Sequence, residues 1–297
     1  MRVFVTGATG FVGPAVANAI ADAGHEVRVL ERKPGAWEKA GIRCQGAVQG
    51  DVTDSEAMRG AVRDTDVVVH LVGIRQGKPA EFERVMIGGT RNLLAAAKEA
   101  GVRRVVLMSA LGFSEETKDL VPYYNAKWTM ERDTKASGLE HVIFRPSFIF
   151  GRDGGILPTF KKLAKLAPVT GIIGSGEQRI QPIWIEDIGA YFAAAIDKAE
   201  AANRTFELGG PDVVSWNEFW QRLRAQLGIR RRPTMHLPTG LMKVPAALTE
   251  RLPGNIPLTR DLLKMLEAGD NVVSNDEAVR TFNLSLVPLD EQLRRAA

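Results

Sequence analysis

The stretch that decides the fold is TGATGFVG, residues 6–13. Its glycines, Gly7, Gly10 and Gly13, separate an alternating β-branched segment, RVFVTG, from small and apolar residues at helical spacing, GPAVANAIADAG. That order predicts a strand, a tight turn and a helix. Glycines at such a turn let backbone N–H groups approach a pyrophosphate, and the helix N-terminus favours the anion. A plain strand-to-helix loop is the alternative, so the triplet needs its context.

The context is a repeat of the same pattern along the chain. Further predicted strands are EVRVLER, AVQGD, DVVVHLVG, RVVLMSA and LEHVIFRPSFIFG, with helical stretches such as SEAMRGAV and TRNLLAAAKEAG between them. This alternation predicts an α/β fold with a doubly wound, parallel-sheet Rossmann architecture. We expect residues 1–151 to form a dinucleotide-binding Rossmann domain and 152–297 a smaller C-terminal α/β lobe, of which about 180–200 returns to the first domain.

The composition excludes several classes of protein. A chain of 297 residues, 45% hydrophobic and 25% charged, is typical of a soluble globular protein. No long apolar run and no signal peptide is evident, so we expect a cytoplasmic location. Cys44 is the only cysteine and the four histidines are scattered, which predicts no disulfide and no metal site. The net charge of +4 suits an anionic cofactor, and no motif for binding nucleic acid is present.

The cofactor type depends on LERKP at the end of the second predicted strand. Glu31 follows Gly13 by 18 residues, where a carboxylate can bind the ribose 2′-hydroxyl of NAD. Arg32 and Lys33 could instead pair with the 2′-phosphate of NADP. Two cations outnumber one carboxylate, so we predict NADP in preference to NAD. The alternative is that the two cations form a solvated turn.

A second motif is VPYYNAKWTM, residues 121–130, which places Tyr123 four residues before Lys127. On a helix the two side chains share a face, where Lys127 would lower the pKa of the phenol and bind the nicotinamide ribose. Tyr124 is the competing phenol. Because such pairs arise by chance on many helices, the pair gains meaning only from the dinucleotide context.

These motifs resemble the extended and atypical short-chain dehydrogenase/reductase superfamily. Other segments match it in order: GDVTD, DVVVHLVG, GGTRNLLAAAKEAGVRRVVLMSA, FRPSFIFG and QPIWIEDI. The chain looks most like the group related to the nucleotide-binding accessory subunit of respiratory complex I, because of SALG, ELGGPDVVSWNEF and DNVVS. With the residues above, the resemblance implies that these bind the cofactor: Gly7, Thr9, Gly10, Phe11, Val12, Gly13, Glu31, Arg32, Lys33, Asp51, Val52, Leu71, Val72, Gly73, Tyr123, Lys127, Pro146 and Phe148.

The resemblance also assigns positions along the cofactor. It implies that Asp51 and Val52 border the adenine, that residues 71–73 line the adjacent ribose and pyrophosphate, and that Pro146 and Phe148 lie by the nicotinamide. Ordinary core packing is the alternative for the apolar side chains among them: Val52, Leu71, Val72 and Phe148.

Two positions depart from the pattern of the superfamily. Ala110 stands where a serine or threonine usually follows Ser109, and Met86 stands where an asparagine often supports a proton relay. One hypothesis is therefore an NADP(H)-dependent oxidoreductase of a carbonyl, alcohol or quinone-type substrate, with Tyr123 as acid/base, Lys127 as its support and Ser109 as a further candidate. A nucleotide-sugar epimerase or dehydratase is a variant of it. The other hypothesis is an NADP(H)-binding scaffold or assembly factor with little or no turnover.

A basic segment, RLRAQLGIRRRP, raises the question of partners. Its arginines could meet acidic lipid headgroups or an acidic protein, which would suit peripheral association with a membrane complex. The alternative is a solvated helix end with cations near the helix C-terminus. The arginines concerned are Arg222, Arg224, Arg230, Arg231 and Arg232.

Overall fold

A computed structural model describes residues 1–229, 232–242 and 259–297. Seven of its strands form one parallel sheet: β1 (Arg2–Thr6), β2 (Glu26–Glu31), β3 (Gly46–Gln49), β4 (Val67–His70), β5 (Arg104–Met108), β6 (Glu140–Pro146) and β11 (Arg204–Leu208). Their order is β11-β6-β5-β4-β1-β2-β3. The order reverses direction at β1, as in doubly wound dinucleotide-binding folds. The predicted α/β Rossmann architecture is confirmed.

Helices connect the strands of this sheet and continue to the end of the chain. The α-helices are α1 (Gly13–Asp22), α2 (Ala36–Lys39), α3 (Ser55–Ala61), α4 (Pro79–Glu81), α5 (Gly89–Glu99), α6 (Pro122–Ala136), α7 (Leu157–Leu166), α8 (Ile185–Ala194), α9 (Trp216–Gln226), α10 (Arg260–Glu267), α11 (Asp276–Phe282) and α12 (Leu289–Ala296). A π-helical segment, Phe82–Gly88, joins α4 to α5, and a short 3-10 helix spans Ala199–Ala201. Such π-helical segments are rare and often occur at functional sites.

The chain divides into two compact units. The first unit comprises Met1–Pro146, Ile185–Leu208 and Asn275–Ser285, and it contains the seven-stranded sheet. Every residue of β4 and β5 is buried, as their apolar sequences predict for central strands of a parallel sheet. The ring of Phe144 on β6 contacts four further aromatic rings at centroid distances of 4.9 to 6.1 Å. The core of the first unit therefore lies on both faces of the sheet.

The second unit comprises Ser147–Trp184, Gly209–Ser274 and Leu286–Ala297. Its described residues form three two-stranded sheets, which pair β7 (Ile149–Phe150) with β10 (Ile183–Trp184), β9 (Arg179–Ile180) with β12 (Val214–Ser215), and β8 (Thr170–Ile173) with β13 (Thr234–Leu237). Phe160 on α7 packs against Trp216, Phe219 and Trp220 of α9 at 5.3 to 5.6 Å. Aromatic contacts between short elements hold this unit together.

One strand of the central sheet was not predicted from sequence. β11 pairs with β6 from Arg204↔Val142 to Leu208↔Pro146, although the two strands are separated by the first part of the second unit. Its sequence, RTFEL, is short and only half apolar, as an edge strand allows. The long sequence separation hid its place in the sheet.

Candidate active site

The glycine turn lies against the end of β4. Gly7 has a φ of +77°, and a Cβ there would lie 2.9 Å from the backbone of Leu71 and Val72. A Cβ at Gly13 would lie 1.9 Å from the carbonyl oxygen of Ala8. Neither position admits a side chain, because the obstructing atoms are backbone. These two glycines thus allow the close packing of strand, turn and helix that a dinucleotide site needs.

The turn opens onto the N-terminus of α1. Val12 precedes the helix without a side-chain capping bond, and no acidic residue lies in the first turn. The helix dipole and its N–H groups there favour a phosphate. Thr9 and Gly10 are exposed, while Phe11 and Val12 are partly buried on the same turn. The predicted pyrophosphate contacts are therefore contiguous.

The carboxylate of Glu31 has a role that sequence reasoning missed. Its Oε1 accepts a hydrogen bond from the N–H of Gly35 at 3.1 Å, and its Oε2 accepts from Ala36 at 2.9 Å and Trp37 at 3.3 Å. Glu31 is buried and caps the N-terminus of α2. Glu31 precedes those N–H groups by only four to six residues, and this short spacing was the feature of the sequence that could have predicted the cap. Both oxygens of the predicted ribose ligand are thus held by the protein itself.

Cations gather near Asp51, the predicted adenine-side residue. Its Oδ1 accepts hydrogen bonds from the N–H and the hydroxyl of Thr53, each at 2.9 Å. Burial is the largest single effect on Asp51 and raises its pKa, but the two Thr53 bonds together with nearby arginine charges hold the pKa below its ordinary value. The charges of Arg32 and of Arg84, which is in the π-helical segment, lower it further. Val52 packs in the core beside this site, as the alternative reading proposed.

The loop after β2 leaves its cations available. The side chains of Arg32 and Lys33 are exposed, and neither makes an ion pair within the described part of the chain. Arg84 is exposed as well. Sequence reasoning missed Arg84, since only the fold brings the π-helical segment to the end of β3.

Tyr123 and Lys127 lie on α6, which begins at Pro122. The Nζ of Lys127 is 6.0 Å from the ring centroid of Tyr123. It donates a 2.7 Å hydrogen bond to the carbonyl oxygen of Met108 at the end of β5. A Cβ at Gly73 would lie 3.4 Å from the same nitrogen. The ammonium group is therefore fixed where β4 and β5 end, with two of its three protons left for other acceptors.

Burial decides the pKa values of this pair. It lowers the pKa of Lys127 to about 8, although the charge of Glu131 raises it in part. It raises the pKa of Tyr123 to about 12, with Arg75 opposing the rise. The pKa of the phenol is thus raised and not lowered in this structure, because desolvation is the largest effect, and a lowering by Lys127 stays a prediction. At neutral pH Tyr123 carries its proton and Lys127 carries its charge.

A buried hydrogen-bond chain lies behind the glycine turn. The Oγ1 of Thr6 is 2.6 Å from His70 Nδ1, and His70 Nε2 is 3.0 Å from the Oγ1 of Thr90. Thr90 donates its one hydroxyl proton to the carbonyl oxygen of Met86 at 2.6 Å. His70 must then donate from Nε2 and accept at Nδ1, which assigns its neutral tautomer. Burial, aided by the charge of Lys127, lowers its pKa to about 3.

This hydrogen-bond chain includes Met86, one of the two departures from the superfamily pattern. Met86 is fully buried, and its backbone rather than its side chain provides the polar contact there. Thr6 and His70 occupy paired positions at the ends of β1 and β4. Because both residues lie in predicted strands, pairing of β1 with β4 in this register would have predicted that Thr6 and His70 lie side by side.

Ser109 directly follows β5 and is buried. Its N–H donates to the carbonyl oxygen of Phe144 at 2.7 Å, whereas its hydroxyl has no hydrogen-bond partner among the described residues. A buried hydroxyl without a partner is unusual and calls for one. Ala110 follows it and is partly buried. Ser109 is thus a hydroxyl directly after β5, one residue before the position at which the superfamily usually has its serine or threonine and this chain has Ala110.

The two residues predicted beside the nicotinamide fall in different units. Pro146 ends β6 in the first unit, and its carbonyl oxygen accepts from the N–H of Leu111 at 3.2 Å. Phe148 belongs to the second unit, where its ring meets Trp216 edge to face at 5.6 Å. Their contact with a nicotinamide stays a prediction.

The described arginines of the basic segment bind within the second unit. Arg222 pairs with Glu218, Asp212 and Asp290 at 2.5 to 3.5 Å. Arg224 donates to the carbonyl oxygen of Arg232 at 3.0 Å, and Arg232 donates to carbonyl oxygens at the end of α7. Arg230 and Arg231 lie outside the described residues. Across residues 1–229, 232–242 and 259–297, no helix combines the length and hydropathy needed to span a bilayer.

Comparison with known proteins adds to this geometry. The family described as NAD(P)H-binding matches residues 7–163, more than half of the chain. NADH dehydrogenase (ubiquinone) 1 alpha subcomplex subunit 9, mitochondrial, of Arabidopsis thaliana is 28% identical over 96% of this chain and 73% of its own length. The Rattus norvegicus protein of the same name is 28% identical over 70% of this chain, which spans only 56% of that protein.

Other similar proteins are enzymes by name. The 2-alkyl-3-oxoalkanoate reductase of Stenotrophomonas maltophilia is 24% identical over 99% of this chain and 98% of its own length. The crystal structure of UDP-glucose 4-epimerase with UDP-glucose from Thermotoga maritima has a TM-score of 0.77, with 19% identity, and covers 100% of this chain and 97% of that chain. At that identity the likeness demonstrates a shared fold.

Proposed function

The chain belongs to the NAD(P)H-binding family, and from that premise we propose that it is an NADP(H)-dependent oxidoreductase that reduces a carbonyl compound. Its resemblance to the extended short-chain dehydrogenase/reductases is confirmed by this match and by its relatives. The observation that carries the proposal is the pair on α6: a partly buried, protonated Tyr123 beside a buried, charged Lys127, where β4 and β5 end.

The protonation states favour reduction at neutral pH. NADPH, when bound, supplies a hydride to the carbonyl carbon. Tyr123 supplies the proton that the carbonyl oxygen takes up, because its pKa of about 12 keeps the phenol protonated. Lys127 presents its remaining N–H donors to the nicotinamide ribose while its hydrogen bond to Met108 fixes its position. The hydroxyl of Ser109 is the candidate donor that orients the carbonyl oxygen.

Three residues support NADP over NAD. The carboxylate of Glu31 accepts hydrogen bonds from three N–H groups at the start of α2, which compete with a ribose hydroxyl for its oxygens. Arg32 and Arg84 both act on Asp51, which places two cations near the end of β3. A 2′-phosphate is the part of NADP that such cations bind, and NAD lacks it.

A panel of aldehydes, ketones and quinones tests the proposal. Oxidation of NADPH by the purified protein is followed through the absorbance of the reduced nicotinamide, with NADPH binding measured separately by fluorescence. We expect oxidation with at least one carbonyl class. Tight binding of NADPH without oxidation across the whole panel would contradict the oxidoreductase and leave the second candidate.

The second candidate is an NADP(H)-binding scaffold or assembly factor. It is favoured by Ala110, which removes one hydroxyl expected of an enzyme, and by relatives that are named as subunits of NADH dehydrogenase. Peripheral association with a membrane complex belongs to this candidate. A cytoplasmic location stays a prediction, and the names of those relatives place them in mitochondria. Loss of turnover in Tyr123→Phe with unchanged NADPH binding would eliminate the scaffold.

A further inference from the structure

The segment after β4 runs along the Tyr123–Lys127 face of α6. A Cβ at Gly73 would lie 3.4 Å from Lys127 Nζ. The next residue, Ile74, packs with Tyr123 against one apolar cluster, formed by Phe82, Met86, Ile87, Leu107, Ala126, Met130 and Ile143. Arg75 follows at once and begins the loop to α4. The chain therefore brings Arg75 to the tyrosine end of the pair.

Arg75 is an exposed cation without a partner in the part of the chain that the structure describes. Among the described residues its guanidinium makes no hydrogen bond and no ion pair, whereas Arg145 binds both carboxylate oxygens of Glu131 at 2.8 and 2.7 Å. The Arg75 charge nevertheless reaches the phenol, because it opposes the burial that raises the pKa of Tyr123. The charge of Arg75 thus acts on the phenol and is not neutralised by an acid among the described residues.

The charges around the phenol are positive. Lys127 is a cation below its pKa of about 8, and His70 is neutral because its pKa is about 3. Glu131, one turn beyond Lys127 on α6, is neutralised by Arg145. A neutral substrate would leave Arg75 without a counter-charge, whereas an oxyanion would match the planar fork of its guanidinium.

We infer that Arg75 determines specificity by binding an oxyanion of the substrate, a carboxylate or a phosphate, so that the substrate is an anionic carbonyl compound such as an oxo acid. That the substrate contains a carbonyl group rests on the proposed function. That it contains an oxyanion rests on Arg75 alone. Arg75 holds the charged end while the carbonyl oxygen meets Tyr123. Specificity then lies in a loop residue, and the pair on α6 serves any carbonyl compound.

Binding tests the anion without any need for turnover. Hexanoate, hexyl phosphate and hexanamide are titrated into the protein saturated with NADP⁺, with calorimetric detection. We expect one of the two anions to bind about tenfold or more tightly than the amide. The anion that binds more tightly identifies the oxyanion of the substrate as a carboxylate or a phosphate. If the wild-type protein binds the amide as tightly as both anions, or binds none of the three, the inference is overturned.

Variants assign the preference to Arg75. Arg75→Gln is expected to bring anion and amide within about threefold of each other, and Arg75→Lys to keep part of the preference. Arg63→Gln is the matched control, because Arg63 is an exposed arginine before β4, at the opposite edge of the sheet, and makes no side-chain ion pair among the described residues. A preference that survives in Arg75→Gln, or disappears in Arg63→Gln, overturns the assignment.

Turnover separates this inference from the proposed function. Acetoacetate and methyl acetoacetate are compared as substrates with NADPH. We expect Arg75→Gln to reduce kcat/KM for the acid by about tenfold or more and to leave kcat/KM for the ester unchanged. Anion preference without reduction of either compound would contradict the oxidoreductase alone. Equal reduction of acid and ester, unaltered by Arg75→Gln, would contradict the inference alone.

Discussion

The ammonium group of Lys127 lies 6.0 Å from the ring centroid of Tyr123 and is bound to the carbonyl oxygen of Met108. This bond fixes the lysine at the ends of the strands, one helical turn from the phenol. Desolvation at this place raises the pKa of Tyr123 to about 12 and lowers that of Lys127 to about 8. The pair is therefore a proton donor beside a cation at neutral pH, and its chemistry follows from burial.

Tyr123→Phe is expected to reduce kcat by about 100-fold or more, since the variant lacks the proton that the carbonyl oxygen needs. The dissociation constant of NADPH should change by less than about threefold, because the phenol is not the main cofactor ligand in this proposal. Steady-state kinetics and fluorescence titration measure the two quantities. Tyr124→Phe is the control, as Tyr124 is the adjacent buried phenol. Equal loss in both variants would contradict the assignment to Tyr123.

Binding of NADPH is expected to weaken as the pH rises through about 8, because Lys127 is charged below its pKa of about 8 and neutral above it. Fluorescence titration of NADPH across this pH range measures the effect. In Lys127→Met the affinity should be lower by about tenfold at neutral pH, with this pH dependence absent. The pH dependence would have another source if it persisted in that variant.

Arg32→Gln is expected to weaken binding of NADPH by about tenfold and to leave binding of NADH within about twofold, since only NADPH carries the 2′-phosphate. Arg84→Gln should act in the same direction. Calorimetric titration of both nucleotides gives the two ratios, and Arg63→Gln again serves as the matched control. A loss of affinity that is equal for NADPH and NADH would argue against the proposed phosphate contact.

Glu31→Ala is expected to reduce the free energy of unfolding by about 1 to 2 kcal/mol, because three N–H groups at the start of α2 lose their acceptor. Urea denaturation measures the change. Glu38→Ala, an exposed acid on the same short helix, should change it by less than about 0.5 kcal/mol. Unchanged stability in Glu31→Ala, together with weaker binding of NADH, would restore the ribose role predicted from sequence.

His70 is expected to make the protein less stable as the pH falls from about 6.5 toward 3. Its pKa is about 3 in the folded state and near 6.5 in the unfolded chain, so its contribution is complete above 6.5 and is lost on acidification. The slope from this one group is about 1.4 kcal/mol per pH unit at most. The difference in free energy of unfolding between wild type and His70→Asn, measured across this range, isolates it. A difference that is independent of pH would show that His70 is protonated in the folded protein.

The sequence by itself determined the architecture of the first unit and the glycine turn. Alternating strands and helices, with glycines between the first strand and the first helix, are patterns of neighbouring residues, and such local patterns are readable before folding. The helix that begins at Pro122 and the Tyr123–Lys127 pair were predictable for the same reason. β11 was missed because its partner, β6, lies far away along the chain.

Only the tertiary structure decided what the site residues do. Glu31 became a helix cap because the fold buries it against the start of α2. His70 became neutral because the fold buries it, and Thr6 and Thr90, from different elements, fix its tautomer. The pKa of Tyr123 rose although a lysine lies one turn away, and the charge of Arg75 acts on the phenol from the loop after β4. Desolvation and contacts between distant segments depend on the whole fold, so residue spacing cannot supply them.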